Sequence, residues 1–412
     1  MTSVWKVALV ALLAATAPVN GVGPVPVRTE GLTRFEFAQP HMGTLVRIIL
    51  YAPGETIAHD AAAAAFGRVA ALEQALSDYR DSSELTRLCR RSGGAPVGVS
   101  EDLFRVLRAA QDLARASDGA FDATAGPLSV IWRQARRRGA LPDGVGLAAA
   151  RALVGHAKLE LDEGRRTAHL MQPGMQLDLG GIAKGFAADE VAAMLRQRGI
   201  ASALIAAGGD IVATDPPPGA TGWRIAVSTL EGVDRPPAAY LTLRNAAVST
   251  SGDIEQFFAV GSVRHSHIVD PRNGRALTGR RSVTIVAPSG TTADGLATAV
   301  SVMGTVAGLR LVDSTSGAAA FVMHEEAGGL RTYQSTRWRT TIPGGFDYGA
   351  KSVSRVTRGT AGHRPGVGLA DARTVGCDQG ATEARGDAGC VRARRGTGGQ
   401  LPRSRTARHR RL

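Results

Sequence analysis

The sequence predicts an α+β fold. An Ala-rich amphipathic stretch from Thr56 to about Tyr79 has the spacing of a helix, and a second helical stretch runs from about Ile182 to Arg198 and stops at Gly199. Short β-like runs lie before, between and after these helices, for example near residues 202–206 and 223–227. A chain that mixes helices and short strands in this way is expected to form an α+β body.

The first half of this body is expected to begin with strands and to continue with helices. Residues 34–51 predict one or two β segments, and Thr56 is expected to cap the long helix that follows. A further helix is predicted after Ser100, because two acidic residues stand in its first turn and Gly119 lies just past its end.

The second half is expected to be richer in strands. Short β-like runs after Val154 end at residues 175–179, where a glycine pair leads into the helix at 182–198. The remaining predicted elements are β-like runs at 239–249, 264–269 and 281–287, a helix from about Thr292 to Met303, and two or three strands that end near Thr341.

The basic charge of the chain is concentrated at its C-terminal end. The 412 residues carry a formal charge of +13, but residues 351–412 hold 14 Lys and Arg against 4 Asp and Glu. The first 350 residues are therefore nearly neutral, which does not favour nucleic acid as their partner. Residues 346–412 lack an apolar period and predict a disordered, solvated tail, with anionic lipid or nucleic acid as alternative contacts.

The N-terminus has the pattern of a secretory signal. Lys6 is followed by a short apolar run and then by small and turn-forming residues, so residues 1–23 predict a signal peptide or N-terminal anchor. Such a segment places the protein outside the cytoplasm, in a periplasm or on the outer face of the cytoplasmic membrane. Cys89 is the one cysteine before the tail, which argues against a zinc site or a disulfide framework.

Residues 178–189, DLGGIAKGFAAD, predict a strand, a glycine turn and a helix start. Free backbone N–H groups at a helix N-terminus suit a phosphate, and Lys184 adds a positive charge one turn into the helix. The simpler interpretation is that Gly180 and Gly181 only connect the strand to the helix.

Residues 292–300, TADGLATAV, place Asp294 and Thr298 four residues apart, on one face of a predicted helix. A carboxylate with a hydroxyl or carbonyl oxygen is the donor set that Mg²⁺ prefers. Alternatively, Asp294 is only an acidic residue in the first turn of a helix and Thr298 a buried helical residue.

Residues 265–274, HSHIVDPRNG, place His265 and His267 on one face of a predicted strand, followed by Asp270 and a turn. A histidine beside a carboxylate can act as a general base at neutral pH. A structural histidine and a transition-metal site built from both histidines remain alternatives.

Two aromatic residues also stand in polar or glycine-rich surroundings. Tyr79 follows the long helix and could stack on a base or ring, while Phe121 and Asp122 lie in a glycine-punctuated turn. Ordinary loop chemistry would explain either feature equally well.

Together these segments resemble the ordered motifs of the ApbE family of FAD:protein FMN transferases over about residues 34–343. The motifs are MGT at 42–44, SDYRDSSEL at 77–85, GAFDATAGPL at 119–128, LDLGGIAKGFAAD at 177–189, GGD at 208–210, STSGD at 249–253, HIVDPRNG at 267–274 and SVTIVAPSGTTADGLATAVSVMG at 282–304.

The resemblance implies a single domain with an FAD cleft, the adenine end near the first motifs and the pyrophosphate near Mg²⁺. The positions that match FAD contacts of the family are Met42, Tyr79, Ala120, Phe121, Asp122, Asp178, Lys184 and Ile268, with Thr250 and Ser251 at the flavin end. Magnesium would be held by the Gly181 carbonyl, Asp294 and Thr298, and His267 would be the catalytic base, directly or through Asp270.

The implied reaction attaches FMN through a phosphoester bond to a Thr or Ser of an acceptor flavoprotein and releases AMP. The implied partner is an acceptor of an extracytoplasmic redox chain, with membrane association possible. Ala297 stands where some family members carry a further acidic residue, so the metal site would be one carboxylate poorer. The alternatives are an FAD pyrophosphatase that yields FMN and AMP, and a non-catalytic flavin-binding protein.

Overall fold

The computed structural model describes residues 31–230, 237, 239–252, 257–326, 329–341 and 353–355. The predicted signal at 1–23 lies outside these ranges, and so does the predicted tail apart from Val353–Arg355, which form a short strand. No helix within the described ranges is long and apolar enough to cross a membrane.

The described residues form one large, almost entirely antiparallel sheet. Its order is β1-β2-β6-β7-β10-β14-β15-β16-β17, and only the pairing of β16 with β17 is parallel. Its strands are β1 (Thr33–His41), β2 (Thr44–Ala52), β6 (Ala203–Ala207), β7 (Asp210–Ala213), β10 (Ala246–Gly252), β14 (Arg281–Ala287), β15 (Ala319–Glu326), β16 (Gly329–Gln334) and β17 (Val353–Arg355).

Three smaller sheets lie outside this large one. They are β3 (Val97–Gly98) with β5 (Thr167–Leu170) and β4 (Leu159–Asp162); the hairpin of β8 (Trp223–Val227) and β9 (Ala239–Leu243); and β11 (Phe257–Val260) with β12 (Val263–Val269) and β13 (Ala276–Thr278).

The helices vary from one turn to six turns in length. They are α1 (Glu55–Leu76), α2 (Glu84–Cys89), α3 (Glu101–Ala116), α4 (Gly126–Arg138), α5 (Gly144–Ala152), α6 (Ala183–Gln197), α7 (Gly290–Met303), α8 (Thr305–Ser314) and α9 (Trp338–Thr341).

The large sheet is covered on both faces. In β2, Ile48 and Leu50 belong to the main core, which the sheet shares with α1, α3, α6 and α7. Ile49 points to a second core, beneath the β8–β9 hairpin. Because successive strand residues alternate between faces, a strand covered on both sides needs apolar residues at consecutive positions, which explains the run in β2.

A two-residue turn joins β1 to β2. His41 pairs with Thr44, and the residues between them, Met42 and Gly43, both have positive φ, at 51° and 72°. Positive φ at both central positions is the conformation of the tight hairpin turns that match strand twist.

The α+β prediction is confirmed, and many element bounds agree with it. The strands predicted at 223–227 and 281–287 are β8 and β14, and the helix predicted at 182–198 is α6. The helix predicted after Ser100 is α3, and Ser100 caps it, because its Oγ accepts a hydrogen bond from the Leu103 N–H at 3.3 Å.

Four predictions of detail are wrong. One is that the last strands end near Thr341, since β16 ends at Gln334 and α9 spans Trp338–Thr341. Gly54, not Thr56, is the N-cap of α1, which begins at Glu55. The run at 239–249 is two strands in different sheets, separated near Asn245, which has a φ of 47°. The helix predicted from Thr292 begins two residues earlier, because Ser289 caps it by accepting from the Thr292 N–H.

Candidate functional site

The candidate site lies where the N-terminal ends of α6 and α7 touch. A Cβ placed on Gly185 in the first turn of α6 would lie 2.1 Å from the carbonyl oxygen of Gly290, the first residue of α7. Only glycine allows two backbones to approach so closely. The contact sets the two helix ends side by side. The first N–H groups of α7 donate to Asp189 and Ser289.

The three predicted metal-binding residues come together at this contact. A Cβ on Gly181, in the turn before α6, would lie 2.7 Å from Thr298 Oγ1 of α7. Asp294, one turn earlier in α7, is 4% exposed and accepts a hydrogen bond from the Gly185 N–H at 3.1 Å. The donors are all oxygen atoms, which fits a hard divalent cation such as Mg²⁺.

Lys184 brings positive charge into the same place. Its Nζ lies 2.9 Å from the Gly180 carbonyl oxygen, 3.2 Å from Asp210 Oδ2 and 3.7 Å from Asp294 Oδ2. Burial alone would lower the pKa of Lys184, but the two carboxylates outweigh it and raise that pKa well above its ordinary value. Lys184 is therefore a permanent cation.

Burial shifts the pKa of Asp294 in the opposite direction. Burial raises its pKa to about 7, the nearby Asp210 carboxylate adds to this rise, and the Lys184 ammonium opposes it. Two carboxylates against one ammonium leave a local surplus of negative charge, which a divalent cation would compensate.

Asp210 is a residue of this site that the sequence analysis did not assign. It is 4% exposed, at the start of β7, and accepts a hydrogen bond from Ser249 Oγ at 2.5 Å. Asp210 is part of the motif GGD at 208–210 in the sequence, but the pairing of Asp210 with Lys184 depends on contacts between residues that are distant in sequence.

The predicted flavin-end residues lie on the neighbouring strand. Thr250 of β10 donates its N–H to the Gly209 carbonyl at 3.1 Å, and its Oγ1 lies 3.0 Å from Thr284 Oγ1 of β14. Ser251 follows it and, like Thr250, is half-buried. Thr250 therefore stands directly beside the Gly209–Asp210 segment that faces Lys184.

Asp178 approaches the site from the turn before α6. Its Oδ1 accepts the Gly180 N–H at 2.8 Å, and its Oδ2 lies 3.2 Å from Arg133 Nη2 of α4. Arg133 also pairs with Asp78, whose pKa is raised by burial and by the charge of Asp178. The sequence analysis missed Arg133, because α4 was not predicted.

Tyr79 and Met42 are linked through Glu73. The Tyr79 hydroxyl donates to Glu73 Oε1 at 2.6 Å, and the Met42 backbone N–H donates to the same carboxylate. Burial and this carboxylate raise the pKa of Tyr79 to about 12. Tyr79 as a residue is 55% exposed, so the side chain is accessible to a stacking partner while its hydroxyl is held.

The predicted contacts at 120–122 face the protein interior with their side chains. Ala120 packs with Ile268 in a small apolar cluster, and Phe121 belongs to the main core. Asp122 is 7% exposed, its Oδ1 accepts from the N–H and the hydroxyl of Thr124, and burial raises its pKa. What these residues could offer to FAD is their backbone.

The two histidines of β12 lie in different surroundings. His267 is exposed, whereas His265 is buried between the rings of Trp132 and Phe258, at centroid distances of 5.8 and 5.4 Å. The pairing of β12 with β13 shifts register between His265 and Val269, so strict strand alternation fails there.

A shared transition-metal site at the histidines gains no support. Within the described ranges there is no group of three or more His, Cys, Asp or Glu side chains that could hold a metal ion.

Asp270 holds the turn after His267. Its carboxylate accepts from the N–H, Nε and Nη2 of Arg272, each at 2.9 Å, and from Asn273 Nδ2 at 3.1 Å. Its own N–H donates to the Arg275 carbonyl at 2.8 Å. With its oxygens engaged in this way, Asp270 is equipped to fix the turn rather than to relay a proton.

Two cavities of the described residues lie beside other side chains. A cavity of about 770 Å³ lies against β4 and β5, and one of about 340 Å³ lies between α3, α6 and the start of α7. Neither is lined by a predicted site residue, so the site is identified here by its charges and contacts.

Comparisons with known proteins agree with one another. The model of the ApbE family matches residues 42–322. The FAD:protein FMN transferase of Treponema pallidum is 35% identical over 300 residues, which cover 69% of this chain and 82% of the relative. That of Klebsiella pneumoniae is 28% identical over 308 residues, with 74% and 88% covered.

Solved structures give the same result. The flavin transferase ApbE from Vibrio cholerae superposes with a TM-score of 0.68 at 29% identity, covering 75% of this chain and 99% of that one. The apo flavinyl transferase ApbE from Pseudomonas stutzeri superposes with a TM-score of 0.67 at 28% identity, covering 77% and 100%.

Proposed function

Since the chain belongs to the ApbE family and is an FAD:protein FMN transferase, we propose that it works with Mg²⁺ and releases AMP as it joins FMN to an acceptor hydroxyl. The bond that breaks joins the FMN phosphorus to the oxygen of AMP. The bond that forms joins the same phosphorus to a Ser or Thr oxygen of the acceptor flavoprotein.

One observation carries this proposal. Four residues meet where the N-terminal ends of α6 and α7 touch: Gly181, Asp294, Thr298 and Lys184. Oxygen donors for a cation, beside a fixed ammonium and the N-terminal end of α6, suit a pyrophosphate.

The Gly181 carbonyl, the Asp294 carboxylate and the Thr298 hydroxyl would hold Mg²⁺. When bound, the ion supplies charge neutralisation at the phosphate oxygens. Burial is the main cause of the raised pKa of Asp294, and the Asp210 carboxylate adds to it; a bound cation would favour the charged form of Asp294.

Lys184 is proposed to bind the pyrophosphate. Asp210 orients the ammonium from one side, and the Ser249 hydroxyl fixes Asp210 in turn. An ammonium already held in place requires less ordering when the substrate arrives.

FAD is proposed to extend from this centre in two directions. Tyr79 and Met42 lie on the adenine side, where the exposed Tyr79 ring would stack on the base. Thr250 and Ser251 lie on the flavin side with Ile268. The backbone of residues 120–122 and the Asp178–Arg133 pair would line the cleft between them.

His267 is proposed to take the proton of the acceptor hydroxyl as its oxygen attacks phosphorus. Its exposed position on β12 allows a hydroxyl of another protein to approach it. Asp270 acts through the turn that it shares with Arg272, by keeping the end of β12 in position.

The place of action is proposed from the N-terminal residues. The signal-like segment at 1–23 directs the protein to the periplasm or to the outer face of the cytoplasmic membrane, where an uncleaved segment would anchor it. The acceptor would then be a flavoprotein of an extracytoplasmic redox chain.

The test uses purified protein with FAD, Mg²⁺ and an acceptor fragment that carries an Asp-Gly-x-Ser/Thr-Gly-Ala-Thr segment. We expect a fluorescent, covalently flavinylated band and one AMP per flavin attached. AMP without covalent flavin would instead identify a pyrophosphatase. FAD binding without either product would identify a flavin-binding protein.

A further inference from the structure

The hairpin formed by α4 and α5 lies beside the turn that follows His267. Trp132 Nε1 of α4 donates to the Gly274 carbonyl at 2.8 Å, and Arg151 Nε of α5 donates to the Arg272 carbonyl at 2.6 Å. A Cβ on Gly274 would lie 3.5 Å from Leu147 of α5. The hairpin is therefore fastened to the segment that ends β12.

The outer face of this hairpin is apolar and uncovered. Helix α5 has no buried residue, although six of its nine residues are Val, Leu or Ala. Val145 is 83% exposed, and Leu141 in the connection and Val130 of α4 are also exposed. A surface helix normally turns an apolar stripe inward, so an outward apolar face indicates an interaction surface.

A cluster of positive charge adjoins this face. Arg136, Arg137 and Arg138 form the last turn of α4 and are exposed, and none of them lies in an ion pair with any carboxylate of the described residues. Basic residues in the last turn stabilise a helix by interacting with its dipole, but this stabilisation needs only part of the charge of the three arginines. The positive electrostatic field of the remaining charge extends into the solvent beside the apolar face.

We propose that the α4–α5 hairpin is the docking surface for the acceptor protein, whose matching surface carries acidic and apolar side chains next to its Ser or Thr. The proposal rests on the transferase function proposed above. A protein hydroxyl that reaches His267 brings its own surface against the segment that follows β12, and the hairpin is continuous with that segment. Complementary charge would speed association and select acidic acceptors.

An anionic lipid surface would also attract the three arginines. Membrane-bound amphipathic helices, however, present a long face of large apolar side chains. Here α5 has nine residues, and its exposed face is mostly alanine. The observations therefore favour a protein partner.

The probes are three peptides with the same Asp-Gly-x-Ser/Thr-Gly-Ala-Thr segment, flanked by Glu, by Lys or by neutral Gly-Ser residues. With the full chain, we expect the KM of the Glu-flanked peptide to be about tenfold or more below that of the Lys-flanked peptide. The combined substitution Arg136→Gln, Arg137→Gln, Arg138→Gln should remove this difference. Val145→Asp should raise KM selectively for the Glu-flanked peptide, with kcat unchanged.

Matched controls separate docking from folding. Ile57→Asp in α1 and Arg310→Gln in α8 change an exposed apolar and an exposed basic residue away from the hairpin, and should leave all three KM values unchanged. FAD affinity should be the same in every variant, because no hairpin substitution lies in the proposed FAD site.

Equal KM values for the three peptides with the unaltered chain would overturn the docking proposal while leaving the transferase function intact. Binding to phosphatidylglycerol vesicles that is lost in the triple variant, with unchanged peptide KM, would overturn it in favour of a lipid surface. Failure of the unaltered chain to flavinylate any peptide would overturn the proposed function and the docking with it.

Discussion

The closest helix contact in the site makes Gly185→Ala the most informative perturbation. The added methyl carbon would lie 2.1 Å from the Gly290 carbonyl oxygen and 2.9 Å from Asp294 Cβ. Ordinary contacts of this kind are about 3.5 Å, so α6 and α7 would have to separate by about 1 Å or more.

The change in the free energy of unfolding caused by Gly185→Ala is the sum of three contributions. Overpacking costs about 1–3 kcal/mol, and loss of the hydrogen bond from the Gly185 N–H to the Asp294 carboxylate costs about 1.5–3 kcal/mol. The better helix propensity of alanine returns about 1 kcal/mol. We expect the free energy of unfolding to fall by about 1.5–5 kcal/mol. FMN transfer should also fall, because Asp294 moves away from Gly181 and Thr298.

Urea denaturation followed by circular dichroism measures the stability, and AMP release measures the site. The matched control is Gly67→Ala, in the middle of α1, where an added Cβ meets nothing within 4 Å. That change should stabilise the protein by up to about 1 kcal/mol. If Gly185→Ala were as stable as Gly67→Ala, the close helix contact would not constrain the site as inferred.

Three further predictions concern single side chains. Asp294→Ala should lower Mg²⁺-dependent AMP release about 100-fold or more. The nearby comparison is Asp189→Asn in α6, whose carboxylate accepts from the first N–H of α7 and which leaves the metal donors in place. Equal losses in the two variants would point to folding instead. His267→Ala should keep FAD affinity but slow transfer about 100- to 10,000-fold, and an active variant would remove His267 from the base role. Cys89 should resist iodoacetamide at pH 8 in the folded protein, because burial raises its pKa to about 11, and should react fast in urea. Mass spectrometry of the Cys89 peptide measures the labelling in both conditions. Rapid labelling of the native chain would contradict the burial of the thiol.

Local patterns predicted much of this fold, and their failures have local causes. The strands at 223–227 and 281–287 are short, mainly apolar runs followed by Ser228 and Pro288, and helix α6 ends shortly before Gly199. The run at 239–249 hid a turn, because Asn245 adopts a left-handed φ that needs no glycine. Helices α4, α5 and α8 were not predicted, and α5 buries no residue that would give it a helical period.

The site was predicted from motif order rather than from any single motif. That order assigned Gly181, Asp294 and Thr298 to one site. In the structure Gly181 lies beside Thr298, one turn from Asp294, although Gly181 is more than 100 residues from both in sequence. It could not show that Asp210 and Arg133 pair with predicted residues, because those contacts depend on how strands and helices pack.

The tight turn at Met42–Gly43 has a consequence for how this protein can vary. Strand β2 is apolar toward both faces of the sheet, so a slip by one residue would still bury apolar side chains, and burial alone would not oppose it. The alignment of the edge hairpin is therefore set by the turn, where both residues adopt left-handed backbone. Met42 is also a proposed contact of FAD, and its N–H holds Glu73. A loop inserted between β1 and β2 would thus disturb strand alignment and substrate binding together, which makes this short turn a poor place for insertions or tags.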